Sequence, residues 1–191
     1  LLLVSGTPNG IKAAEIEMNL MVDRGVPGKM LSRDEIIAME PSLKPIIRGG
    51  VYFPTEAHAE PFQTVRALTE DFERIGGKVL TKTEAFDFEF ANGKITKVIT
   101  TRGSFEADLV VLALGSWSPE IAKRLRVSVP VMGGKGYRMI AHNVKVKPQH
   151  PIMIVEKKIA VTPRTDGSTS FAGTLELVNG DESISPRRLN A

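Results

Sequence analysis

Pro61-Phe-Gln-Thr-Val-Arg-Ala-Leu-Thr-Glu-Asp-Phe-Glu-Arg-Ile-Gly-Gly77, followed by Ala85-Phe-Asp-Phe-Glu-Phe-Ala-Asn-Gly-Lys-Ile-Thr-Lys-Val-Ile-Thr-Thr101, decides the fold class. In the first stretch Phe62, Val65, Leu68, Phe72 and Ile75 recur at helical spacing. Pro61 suits a first helical turn and Gly76-Gly77 closes the helix. In the second stretch the period drops to two, and Asn92-Gly93 between β-rich runs is the strongest short hairpin signal. A helix handing over to an antiparallel meander, with no βαβ alternation, predicts an α+β chain.

Upstream, apolar residues at Ile11, Ala14, Met18, Met21 and Val22 predict a helix over 10–24. Ser32 and Glu35 form a capping-box signature for a short helix over 32–39. Residues 46–53 are β-rich around Gly49-Gly50, and 54–60 form a polar connection. Downstream, residues 79–82 read as a strand, and Arg102-Gly103 as a tight turn into another. The run at 108–114 is apolar on both faces, as in a buried strand. A helix capped by Ser118, with Pro119 in its first turn, is expected to reach about Arg126. Further β-like runs occupy 137–141, 152–161 and 169–177.

The 191 residues include no Cys and three scattered His, which excludes disulfides, thiolate metal sites and a His-built metal centre, so no metal ligands are assigned. A net charge of +3 without a basic block argues against nucleic acid. The opening Leu-Leu-Leu-Val is too short for a signal peptide or a membrane span. A start on Leu1 and a stop at Ala191 just after a helix-like start suggest a piece of a longer protein.

Several residues have the chemistry for a site. Gly115 ends an apolar run where backbone can approach a ligand; the alternative is an ordinary glycine between strand and helix. Gly133-Gly134-Lys135-Gly136 reads as a turn, and the strand-like sequence after it argues against a phosphate loop. His58 between Glu56 and Glu60 could serve as an acid–base group or simply be a solvated loop histidine. Trp117 could border a flat ligand or anchor a core. Lys135, Tyr137 and Arg138 could hold a carboxylate, although strand alternation puts Tyr137 and Arg138 on opposite faces.

The order of these strings carries a family resemblance. Gly49-Gly-Val-Tyr-Phe, Glu56-Ala-His-Ala-Glu-Pro61, Arg66-Ala-Leu, the Asn92-Gly93 hairpin, Ala107-Asp-Leu-Val-Val-Leu-Ala-Leu-Gly-Ser-Trp-Ser118 and Gly134-Lys-Gly-Tyr137 resemble the FAD-dependent amine and amino-acid oxidoreductases. That family includes D-amino acid oxidase, glycine oxidase and sarcosine oxidase. Ile159-Ala-Val-Thr-Pro163 and Phe171-Ala-Gly-Thr-Leu-Glu-Leu177 are most similar to its D-amino acid dehydrogenase branch. The family's opening G-x-G-x-x-G turn is absent, as is the C-terminal stretch that completes its flavin site and supplies a substrate arginine.

The resemblance implies the middle of such an enzyme. Residues 1–76 and 129–191 would form the substrate domain, a mixed, largely antiparallel sheet of 49–53, 137–141, 152–161 and 169–177 covered by helices 10–24, 32–39 and 61–75. Residues 77–128 would be a β-meander, strand and helix of the FAD-binding, Rossmann-like domain. Ala85 would offer a backbone contact to FAD and Gly115 would lie near the dinucleotide; Lys135, Gly136 and Tyr137 would sit beside substrate and flavin ring. The implied reaction passes hydride from the substrate α-carbon to the flavin and leaves an imine that water hydrolyses to keto acid and ammonia, with no obligatory catalytic side chain in these residues.

Substrates would be D-amino acids, or alternatively glycine, sarcosine, proline or glycerol 3-phosphate. A different class of reading is a non-enzymatic binding or assembly domain. The piece alone is expected to be inactive and to need the missing FAD-domain segments. It is also expected to pair as a homodimer through exposed residues such as Val110 and Leu112, and to be cytoplasmic or peripheral at the inner membrane face.

Overall fold

The computed structural model describes residues 1–44, 46–178 and 180–189. The chain divides into two compact units. Unit one comprises Leu1–Pro61, Gly136–Glu176 and the residues from Ile184 on, and unit two comprises Phe62–Lys135 and Leu177–Ser183. The fold is mixed α+β, with a seven-stranded sheet and a separate three-stranded antiparallel one.

The large sheet is built around β1 (Leu2–Ser5), every residue of which is buried. It pairs antiparallel with β3 (Gly49–Tyr52), which pairs in turn with β2 (Lys29–Ser32). On its other side β1 runs parallel to β8 (Ile152–Ile154). The order continues through β9 (Ile159–Pro163), β10 (Thr169–Val178) and β7 (Gly133–Ala141). The β1/β8 pair makes the sheet mixed, while β8/β9 and β9/β10 are antiparallel hairpin pairs.

Strand alternation gives β1 two cores. Leu2 and Val4 join Leu31, Ile152 and Ile36 of α2 (Arg33–Met39), whereas Leu3 joins Val51, Phe53 and Ala14 of α1 (Pro8–Val22). Gly50 allows this central pairing: a Cβ there would lie 1.9 Å from the Leu3 carbonyl oxygen. Thr7 caps α1 by accepting from the Gly10 amide at 3.1 Å. At α2 the expected capping box is present, with Ser32 Oγ accepting from the Glu35 amide and the Glu35 carboxylate accepting from the Ser32 amide at 2.8 Å.

Two carboxylates fasten loops to unit one. Glu40, just past α2 and 0% exposed, accepts from the Gln149 amide at 2.7 Å and the His150 amide at 3.0 Å. His150 Nδ1 lies 3.3 Å away, and Ser42 Oγ donates to the other oxygen. Burial raises the Glu40 pKa, but these hydrogen bonds outweigh it and hold the carboxyl below its ordinary value. Glu156, in the β8–β9 turn, accepts from Ser5 Oγ, both the amide and hydroxyl of Thr7, and the Gly6 amide. Partial burial opposes ionisation there too, yet the hydrogen bonds bring the pKa down to about 2.

Unit two holds α3 (Pro61–Arg74, from Phe62 on) and the meander β4 (Ala85–Ala91), β5 (Lys94–Thr100) and β6 (Gly103–Glu106). The β4–β5 turn carries positive φ at both Asn92 (52°) and Gly93 (75°), as a two-residue hairpin requires. After 107–114 come a 3-10 turn (Gly115–Trp117), α4 (Ser118–Ala122) and a second 3-10 turn (Lys123–Leu125). Unit one ends in the short helix α5 (Pro186–Leu189).

The structure corrects several expectations. Residues 79–82 and 108–114 form no strand: among the described residues neither has a neighbour to complete a ladder, and Leu109 is 81% and Val111 76% exposed. The exposed large apolar side chains of that run are therefore Leu109, Val111 and Leu114, while Val110 and Leu112 are half-buried. Helix α3 forms at the expected place but buries none of its side chains, so it is not a cover of a core. The glycines at 133–136 open β7 rather than making a turn. Residues 152–161 are two strands around a turn at 155–158. The α-helix after Gly115 stops at Ala122 and has no side-chain cap at its start; a 3-10 turn carries the chain on to Leu125 and is closed by left-handed Arg126 (φ 56°). Strands β1 and β2 were not expected at all.

Candidate functional site

Each unit contains a cleft. The cleft of unit two, about 880 Å³, is lined by apolar Trp117, Val131 and Met132, by Ser116, Gly133 and Gly134, and by charged residues that include Lys135 and Asp181. Trp117 is 65% and Met132 55% exposed, so the cleft offers flat, unpartnered apolar surface. Gly115, at φ 54°, turns the chain into Ser116 and Trp117 with no atom within 4 Å of where a Cβ would stand. Such a wall suits a planar aromatic ligand, and its volume is within the usual range for small-molecule sites. Lys135 Nζ donates to the Ser183 carbonyl at 2.9 Å and lies 3.5 Å from Asp181 Oδ2. The Ser183 hydroxyl and amide, with Lys135, keep the Asp181 carboxyl below the usual range.

The cleft of unit one, about 530 Å³, lies over β7, β10 and the β8–β9 turn and is lined by Gly136, Tyr137, Arg138, Lys157, Lys158 and Thr174, with Ala172, Gly173 and Leu175. Arg138 Nε donates to Ser170 Oγ at 2.9 Å. The Tyr137 hydroxyl accepts from the Ser185 amide at 2.9 Å and lies 3.5 Å from Glu176 Oε2, whose other oxygen accepts from Arg188 Nε at 2.8 Å. Thr174 adopts φ 55°, a left-handed conformation that a β-branched residue takes up only under constraint.

The residues expected at a site are thus distributed. Gly136 and Tyr137 line the unit-one cleft, whereas Lys135 lines that of unit two. Ala85 opens β4, paired with Thr100, and lines neither cleft. Gly115 immediately precedes Ser116 of the unit-two cleft. His58 is exposed in the connection before α3 and has no hydrogen-bond or ion-pair partner among the described residues. Its neighbour Glu60 instead pairs with Arg164 at 3.2 Å. Lys157 and Lys158 were missed because 152–161 was read as one run; two adjacent lysines interrupting a β-like stretch were the available signal of a turn. Among the described residues no group of His, Asp and Glu could hold a metal ion, and no helix is long and apolar enough to cross a membrane.

The fold is shared with oxidoreductases of known structure. L-Proline dehydrogenase from P. horikoshii superposes with a TM-score of 0.87 over 99% of this chain and 52% of that one, at 21% identity. Glycine oxidase from Bacillus cereus superposes with a TM-score of 0.82 over 99% and 52%, at 22% identity. At the level of sequence, the profile of the DAO family, FAD dependent oxidoreductase, matches residues 1–191. The chain belongs to that family. Among curated proteins, a D-amino acid dehydrogenase from Vibrio atlanticus is 31% identical over 183 residues, 93% of this chain and 44% of the relative. Another, from Agrobacterium fabrum, is 33% identical over 167 residues, 82% of this chain and 40% of the relative. The chain therefore spans less than half the length of these relatives.

Proposed function

We propose that the whole protein carrying this sequence is a flavin-dependent oxidoreductase that deaminates D-amino acids to keto acids. The observation that carries this reading is the match of the family over residues 1–191, joined by relatives named D-amino acid dehydrogenase. Bound FAD would supply the acceptor for the hydride equivalent of the substrate α-carbon. This chain's part is to bind and orient.

In unit two, the apolar side chains of Trp117, Val131 and Met132, next to Gly115, fit a flat ring system, and Gly133 permits the close approach of the Val178 carbonyl, which a Cβ would meet at 2.9 Å. Ala85 is assigned a backbone contact to the same cofactor. Lys135, tied to Asp181 and Ser183, lines that cleft and leaves substrate contact to Gly136 and the residues after it. In unit one, Gly136 and Tyr137 contribute to the substrate cleft. Tyr137 acts there through its ring edge, since its hydroxyl already bonds Ser185 and Glu176. No side chain of these residues is assigned a proton-transfer role.

The test is the visible spectrum of the whole protein during anaerobic addition of D- and L-amino acids. Bleaching of the flavin band by D-amino acids is expected. A colourless protein that gains no flavin band with added FAD would favour a binding or assembly domain, and a flavin reduced only by L-amino acids or glycerol 3-phosphate would overturn the substrate assignment.

A further inference from the structure

We propose that the unit-one cleft selects substrates carrying a second anionic group, so that acidic D-amino acids are preferred over neutral ones. This deepens the reading above and rests on it. The lining contains Arg138, Lys157 and Lys158 and not one carboxylate. A substrate's α-carboxylate is satisfied by a single cation, most completely by one guanidinium fork. Two further positive charges at the same cleft are then in excess of what a neutral amino acid can use.

The neighbouring carboxylates do not cancel that excess. Glu156 is adjacent to Lys157 in sequence and ionised, but it does not line the cleft, and its Oε1 is held by Ser5, Gly6 and Thr7. Glu176, two residues beyond Thr174, is engaged by Arg188 and Tyr137. Arg138 is anchored through Nε on Ser170, which directs it without neutralising it. Neither lysine has an ion-pair or hydrogen-bond partner among the described residues. Like charges gathered without counter-ions repel, and a dianionic ligand relieves that repulsion while a monoanion does so only in part.

Two further observations agree. The left-handed Thr174 lines the same cleft, and backbone strain of this kind is retained where the surrounding structure has a use for the resulting shape. At about 530 Å³ the cleft also has room for a five-carbon dicarboxylate.

The test uses the whole protein and two non-oxidisable probes, glutarate and butyrate, which differ by one carboxylate. Calorimetric titration should show glutarate binding about tenfold more tightly, a difference of about 1.4 kcal/mol. That advantage should shrink as salt is raised from 0.05 to 0.5 M, roughly, because partly exposed charges are screened. In a K157Q/K158Q variant the advantage should fall to about twofold or less, and the ratio of kcat/KM for D-glutamate over D-alanine should fall by about fivefold or more with it. Both lysines are exposed turn residues, and the wild-type salt series decides the matter independently of the variant's folding. Equal affinity for the two probes, or an advantage that survives the double substitution, overturns the proposal. If amino acids bleach the flavin without an acidic preference, this inference alone fails. If none bleaches it, the reading beneath fails as well.

Discussion

Replacing Glu40 by Ala removes the acceptor on which two segments of unit one converge. The backbone amides of Gln149 and His150 both point at Oε2, at 2.7 and 3.0 Å, and Ser42 donates to Oε1. Hydrogen bonds to a charged group contribute about 1.5–3 kcal/mol each, and a buried donor left unpaired costs about 1–3 kcal/mol. The amides are only part-buried, so water can recover some of that loss, and we expect about 2–4 kcal/mol in urea unfolding at neutral pH. Glu40→Gln keeps an acceptor for the amides and should cost about half as much.

The two variants also separate charge from shape. Because the folded pKa of Glu40 lies below its ordinary 4.5, its ionisation stabilises the fold fully above that value, and the contribution is lost as pH falls through the depressed pKa. The stability gap between wild type and Glu40→Gln should therefore narrow as pH drops below about 4.5. A gap that stays constant from pH 7 to about 3, or a Glu40→Ala protein within about 0.5 kcal/mol of wild type, would refute the reasoning.

Gly50→Ala should be more damaging than its size suggests. The new methyl would meet the Leu3 carbonyl oxygen at 1.9 Å, so β1 and β3 must separate, and thermal unfolding should report a loss of about 3 kcal/mol or an insoluble product. Ser32→Ala breaks the capping box of an exposed helix start and should cost about 1 kcal/mol in the same assay, with hydrogen exchange quickening first at the Glu35 amide.

Local signals were legible wherever the chain satisfies itself. The capping box, Asn92-Gly93 and the extent of α3 each depend on residues within a few positions of one another, and each is present. Long-range pairing was not legible. Leu2–Ser5 is too short to display a period, and only its pairing with residues 49–52 and 152–154 makes it a strand. The run at 108–114 shows the converse, since apolar sequence without a partner to bond makes no ladder. The candidate site divides the same way. Tyr137 and Arg138 were visible on one strand, but their meeting with Lys157 and Lys158 depends on a turn signalled only by two adjacent lysines within a β-like run.

The central position of β1 has a consequence for how the chain acquires its structure. One neighbour of β1 follows within about fifty residues, but the other, β8, is separated from it by 150 positions, Leu2 against Ile152. With synthesis at about 5–20 residues per second, β1 waits on the order of ten seconds for β8 with that edge unpaired, while α1, α2 and β3 already supply most of the partners of its two faces. Closing so large a loop also places this sheet among slow-forming, high-contact-order topologies. In that interval a chaperone can hold the open edge of β1, and a truncation before residue 152 would leave that edge unpaired and aggregation-prone.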